Sequence, residues 1–237
     1  MGSEMRDFWD ARARENAFYY VDNRVDYRDP DRVSFWDGGR RSLEAILERT
    51  GAEIGPGDRV VEIGCGVGRV TRWLAARAAE VVAVDVSEEM LARAMALNPE
   101  LANVTWLLGD GRSLEPVEDG AADVVFSDVV FQHIPDPEVQ LGYVREIGRV
   151  LRPSGWAAFQ VSNDRRVHVR RPLAERLRTR IRGALRRGPR AQEHPAWLGA
   201  AVDLDELRRV AGGAGMDLER VAGEGTQHCH VLLRRRG

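Results

Sequence analysis

Residues 60–68 read Val60-Val61-Glu62-Ile63-Gly64-Cys65-Gly66-Val67-Gly68, four residues of buried-strand character followed by glycine at alternate positions. The glycines stand where a strand turns into a helix, predicted from about Arg69 to Ala78. Such a junction lets a ligand approach the backbone closely and presents N–H groups at a helix N-terminus. A dinucleotide fingerprint, G-x-G-x-x-G, fits poorly. Counting from Gly64 gives Gly66 and then Arg69 where the third glycine belongs. For the loop alone, glycines that serve only a tight turn remain the competing reading.

The sequence on either side keeps the same grammar. Gly55-Pro56-Gly57-Asp58 is a turn signal before the strand; further upstream Leu43, Ile46 and Leu47 recur at helical spacing, with Gly51 as a stop. The stretch to about Asp31 is aromatic and charged (Phe8, Trp9, Phe18, Tyr19, Tyr20, Tyr27) and predicts one or two short helices. Downstream, Val81 to Val84 is a second strand ending at Asp85, and Ser87 caps a helix to about Leu97. Asn103 to Leu108 and Ala122 to Ser127 are two more strands. A helix from about Pro137 to Leu151 follows, then a fifth strand, Trp156 to Val161. This alternation predicts right-handed crossovers and a parallel sheet covered on both faces. After a helix at Asp203 to Ala214, strands near Leu218 to Ala222 and His230 to Leu233 are expected to pair antiparallel.

Acidic residues close several strands. Asp85 ends the second, where a carboxylate can accept hydrogen bonds from both hydroxyls of a ribose. Asp110, in Gly109-Asp110-Gly111, ends the third and suits the exocyclic amine of an adenine; Asp128 and His133 lie just beyond the fourth. Any one of these aspartates is more often a cap or turn residue than a ligand. Four strand ends in register point instead to the crevice where open α/β sheets bind ligands.

With these residues in place the chain resembles the class I S-adenosylmethionine-dependent methyltransferases. The resemblance rests on Glu62-Ile63-Gly64-Cys65-Gly66-Val67-Gly68, on Val84-Asp85 with Ser87 and Met90, and on Gly109-Asp110. It rests also on Val129-Val130-Phe131-Gln132-His133-Ile134 and Leu151-Arg152-Pro153-Ser154-Gly155-Trp156. It implies a Rossmann-like α/β fold with a seven-stranded, mostly parallel sheet, helices on both faces and an antiparallel last strand. The expected layout is one domain over 1–237: a helical cap (1–50), a cofactor-binding core (57–162), an arginine-rich insert or lid (163–200) and a C-terminal helix and strand pair (201–237). The implied cofactor is S-adenosyl-L-methionine. Gly64 and Gly66 would pack against its methionine part, Asp85 would hold the ribose and Asp110 would meet the adenine. Glu62, Cys65, Gly68, Val86, Met90, Gly111 and Asp128 are expected in the same cleft.

Composition bounds the chemistry. The 237 residues are 43% apolar and 30% charged, ordinary for one globular domain. No stretch approaches the roughly 18 uninterrupted apolar residues of a membrane span, and the acidic N-terminus lacks the apolar region of a secretory signal. Two cysteines, Cys65 and Cys229, suit a reducing interior, so a cytoplasmic location is expected. All 35 basic residues are arginine. The absence of lysine excludes a Schiff-base or Walker A lysine.

An oxygen or nitrogen acceptor must lose a proton as it is methylated, and His133 is the candidate base. The competing reading is a histidine that orders its loop. His168, His194, His228 and His230 are read as surface or strand residues, with no metal site. The expected acceptor is a small molecule or glycan bearing a hydroxyl, anionic or lipid-linked; alternatives are N- or C-methylation of a small metabolite, or a cofactor-binding protein without catalysis. Between Asn163 and Arg190 eleven arginines face only Asp164 and Glu175, while the whole chain has a net charge of −2. Leu173, Leu177, Ile181 and Leu185 would form a thin helical stripe there, suited to docking a lid, meeting an anionic membrane surface or attracting an anionic acceptor. Without interleaved aromatics, nucleic acid is disfavoured.

Overall fold

The structure, a computed structural model, describes residues 2–169 and 194–237. The predicted stripe Leu173, Leu177, Ile181 and Leu185 lies outside the described residues. Two helices come first, α1 (Gly2–Val21) and α2 (Arg32–Thr50). The alternating part follows as β1 (Arg59–Ile63), α3 (Thr71–Ala75), β2 (Glu80–Asp85), α4 (Glu88–Leu97), β3 (Val104–Leu108), β4 (Ala122–Ser127), α5 (Pro137–Val150) and β5 (Leu151–Val161). A short helix α6 (Pro195–Leu198), then α7 (Leu204–Gly213), β6 (Met216–Ala222) and β7 (Cys229–Arg235) complete the described chain. The seven strands lie in the order β3-β2-β1-β4-β5-β7-β6. β7 runs antiparallel to both its neighbours, β5 and β6, while β1 to β5 pair parallel.

Local chemistry sets the boundaries. The carboxylate of Asp31 accepts from Val33 N at the start of α2, and Gly51 ends it in the left-handed region, its N–H donating to Leu47 O. The Ser87 hydroxyl accepts from Met90 N, Asp136 and Asp203 cap α5 and α7, and Pro137 occupies the first turn of α5. α1 is two helical pieces, as expected, joined across a kink at the extended Asn16, whose amide bridges Tyr27 O and Tyr19 N. Two boundaries differ from expectation. α3 stops at Ala75, where the Asn103 amide takes the carbonyls of Ala75 and Ala78. β5 starts at Leu151, five residues before the predicted Trp156, because Leu151 pairs with Ala122 before the ladder shifts.

β4, buried throughout, lies mid-sheet between two apolar layers. One layer packs α5 and α7 through residues such as Leu141, Ile147 and Leu207; the other packs α2 to α4 through Leu43, Ile46, Leu74 and Leu91. β1 lies between β2 and β4, so chain connections leave it in opposite directions. That reversal opens a crevice at the carboxyl ends of the strands, and a third apolar cluster (Ala13, Ala17, Phe35, Val67, Met90) seats α1 over it. No described helix is long and apolar enough to cross a membrane.

Candidate functional site

The glycine loop is pinned to the neighbouring strand: Gly64 N and Cys65 N both donate to Val84 O, at 2.7 and 3.1 Å. Gly64 and Gly66 have φ of 75° and 55°, a region that side chains other than glycine rarely adopt. A Cβ on Gly64 would stand 2.3 Å from Val130 Cγ2, and one on Gly66 would stand 2.9 Å from Val21 Cγ2. The loop therefore holds its backbone as close to α1 and the β4 end as atoms allow.

Asp85 ends β2 facing this loop and is 9% exposed. Its Oδ2 accepts from Gly66 N at 2.8 Å and its Oδ1 from Ser87 N at 2.9 Å. Burial pushes its carboxyl up to about 6, against the pull of those N–H groups. Glu62, 3% exposed, accepts from Thr71 Oγ1 at 2.6 Å, and burial raises it to about 7. Burial likewise pushes the Cys65 thiol well above its ordinary value, which favours the protonated form.

At the β4 end Asp128 accepts from Arg69 Nη2 at 3.0 Å, and Arg69 Nη1 lies 3.5 Å from Asp22 Oδ2. Arg24 closes on Asp22 with two bonds of 2.7 and 2.6 Å. Burial works against ionisation of Asp22, yet Arg24 and Arg69 together hold its carboxyl below the usual range. Val129, next in the chain, has φ of 58°. A β-branched residue there costs on the order of 1–3 kcal/mol and marks a backbone held by its surroundings.

His133 closes the short 3-10 turn Phe131–His133. Its Nδ1 lies 2.8 Å from Trp197 O in α6 and its Nε2 lies 3.2 Å from Gln132 Nε2. A carbonyl oxygen can only accept, so Nδ1 carries the proton and Nε2 keeps its lone pair. Trp9 of α1 packs edge-on at 5.6 Å and Trp197 lies at 5.3 Å. Burial drops the imidazole to about 4, leaving it neutral at pH 7.

The glycine loop, Glu62, Asp85, Arg69, Asp128, Val129 and His133 line one cleft of about 120 Å³. Of the sequence-predicted residues its wall includes Glu62, Gly64, Cys65, Gly66, Asp85, Val86, Met90, Gly111, Asp128 and His133. Gly68 and Asp110 are not on it. Gly68 backs onto Asn98 and Trp106. The Asp110 carboxylate instead accepts from Arg112 N, Ser113 N and Ser113 Oγ, closing its own turn. Met5, Trp9 and Tyr20 of α1 and Tyr143 of α5 also stand on the wall. Arg6 donates to Val86 O and Gly109 O, both at 3.1 Å, and so ties α1 across the far end. Sequence reasoning did not single out Arg6, Arg69 or Tyr143. Only Arg69 carried a signal, as the residue that spoils the dinucleotide pattern.

The remaining histidines disperse. His168 bridges Leu198 O and Ser162 Oγ, His194 stacks on Phe8 with ring centroids 4.3 Å apart, His230 meets Arg49, and His228 is exposed. Among the described residues no group of three or more His, Cys, Asp or Glu is disposed to hold a metal.

A nucleoside carrying an amino-acid tail fits this donor set. The side-chain-free backbone of Gly64 and Gly66 on the cleft wall suits the tail, the buried Asp85 carboxylate suits a ribose diol, and Val86, Met90 and Gly111 line the same cleft with the apolar surface a flat base would meet. Residues 61–159 match the family model described as a methyltransferase domain. Among curated relatives, an uncharacterized 37.1 kDa protein in transposon TN4556 of Streptomyces fradiae is 34% identical, over 53% of this chain and 37% of its own length. The trans-aconitate 2-methyltransferase of Azoarcus sp. (strain BH72) is 34% identical over 57% of this chain and 51% of its own. The chain thus spans well under two thirds of the length of these relatives. In fold it is similar to a phosphoethanolamine N-methyltransferase of Haemonchus contortus, with a TM-score of 0.70 at 15% identity, covering 99% of this chain and 49% of that one.

Proposed function

We propose that this chain is a class I S-adenosylmethionine-dependent methyltransferase that moves a methyl group from S-adenosylmethionine to a hydroxyl oxygen of a small-molecule or glycan acceptor. The methyltransferase-domain match over residues 61–159 supports that reading, and the fold agrees with it. The choice of a hydroxyl is supported by one observation above the others: a neutral His133 on the cleft wall, its Nδ1 fixed by a backbone carbonyl and its Nε2 lone pair held only by the Gln132 amide.

In this reading Gly64, Cys65 and Gly66 hold the methionine part, Asp85 the ribose, and Val86, Met90 and Gly111 the adenine. Glu62 and Asp128 brace the loop from below and beside. S-adenosylmethionine supplies an electrophilic methyl on a sulfonium. His133 Nε2 takes the acceptor's hydroxyl proton, exchanging the Gln132 amide for it. Trp9 and Trp197 keep water from the imidazole, and alignment within the walled cleft supplies most of the remaining acceleration.

The test is His133→Gln assayed by transfer of labelled methyl into a panel of hydroxylated metabolites and glycans. A positioned base contributes about 10²–10⁴-fold. The expected outcome is a fall in kcat of roughly a hundredfold or more, with affinity for S-adenosylhomocysteine within about threefold. The acid limb of kcat belonging to His133 should lie near 4 rather than at the ordinary value of 6.5. An unchanged kcat in the variant contradicts the role.

A further inference from the structure

A second cavity, of about 840 Å³, adjoins the cofactor cleft. The two share the wall formed by Tyr20, Val21, Arg69, Asp128, Val129 and His133. A molecule in the larger space therefore meets the cleft at the imidazole named above, and its volume falls within the roughly 300–1,000 Å³ of small-molecule sites.

The charges on its wall do not cancel. Arg24, Arg41, Arg49 and Arg69 face it, against Asp22 and Asp128. Arg24 and Arg69 are consumed by those two carboxylates. Arg41 pairs with Asp37, away from this wall. Arg49, exposed in the last turn of α2, has no carboxylate partner among the described residues. Its Nη1 lies 3.3 Å from His230 Nδ1. A guanidinium can only donate, so His230 accepts and is neutral, aiming Arg49 without offsetting its charge. The Nε of Arg69, buried at the shared wall, has no partner either among the described residues.

We infer that the larger cavity is the acceptor site and that it selects acceptors carrying a carboxylate or phosphate group, bound by Arg49. The inference rests on the methyl-transfer reading, which it deepens by naming the acceptor class. A planar guanidinium binds either anion with two parallel hydrogen bonds, and the hydroxyl to be methylated then extends toward His133.

The test is calorimetric titration of phenyl phosphate, benzoate and benzyl alcohol into the protein, with and without saturating S-adenosylhomocysteine. The expected result is that at least one anion binds about tenfold or more tightly than the alcohol; the two anions distinguish phosphate from carboxylate. Arg49→Gln should weaken that anion about tenfold, Arg49→Lys should recover part of it, and Tm should stay the same because Arg49 is exposed. Equal binding of anions and alcohol, or an Arg49→Gln variant that binds like the parent, overturns the inference. The S-adenosylhomocysteine titration is a separate arm. If that ligand binds and the anions do not, this inference alone falls. If it fails to bind, the methyl-transfer reading falls and the acceptor assignment with it.

Discussion

At the scale of single residues, burial has done most of the electrostatic work. Glu62 is raised to about 7 and Asp85 to about 6 because both leave water, and the hydrogen bonds each accepts offset only part of that cost. A carboxyl whose folded value lies above its unfolded one binds extra protons when folded, so its contribution to stability falls as pH rises through that interval. For Glu62 the interval runs from its ordinary 4.5 to about 7. Glu62→Gln, which keeps an acceptor for Thr71 Oγ1, should therefore gain on the parent by up to about 3 kcal/mol between pH 4.5 and 7. Thermal melts of both proteins across that range check it; a difference in Tm independent of pH contradicts it. Asp85 and the glycines were legible in the sequence because their chemistry is local: a strand end, a positive φ, a cap two residues on. Asp110 was legible as a strand-end acid; its carboxylate accepts from Arg112 N and Ser113 N, a turn that the Gly109-Asp110-Gly111 string does not by itself reveal. The partner that fixes His133, a carbonyl 64 positions further on, left no local trace at all.

Among elements, α1 carries the least expected role. Its sequence reads as a helical cap of one or two short aromatic helices. The helix roofs the cleft with Met5 and Trp9 and is tied down by Arg6 on Val86 O and Gly109 O and by Asp10 on Ser87 Oγ and Glu89 N. The space beneath, about 120 Å³, is well short of the roughly 300 Å³ of the smallest ordinary ligand sites. On the proposed reading, α1 would shift to admit a nucleoside and close again over it. Hydrogen exchange in residues 2–15 should accordingly slow on addition of S-adenosylhomocysteine, while β4 and β5 stay protected throughout. Exchange in α1 that ignores the ligand contradicts this. The strands, by contrast, were read closely from their apolar runs and turn signals. Where they were misjudged, at the start of β5 and the end of α3, the decisive contact comes from another element: Ala122 in one case, the Asn103 amide in the other.

Over the whole molecule, a reversal of chain direction beside β1 brings distant strand ends to one crevice, which α1 roofs with Met5 and Trp9. The alternation of strands and helices foretold that crevice. The second cavity was not foretold, because its wall draws on α1, α2, the turn after β4, α6 and β7 together, and no periodicity in the chain encodes such a meeting. The central claim is that the crevice binds S-adenosylmethionine through Asp85. Calorimetric titration of S-adenosylhomocysteine into the parent and Asp85→Asn proteins tests it most directly. The expected result is stoichiometric binding by the parent and affinity about tenfold or more weaker in the variant. The parent's affinity should also rise from pH 5 to 7 as Asp85 ionises, with that rise lost in the variant. No heat of binding from folded parent protein, or a variant that binds as the parent does, would contradict the account.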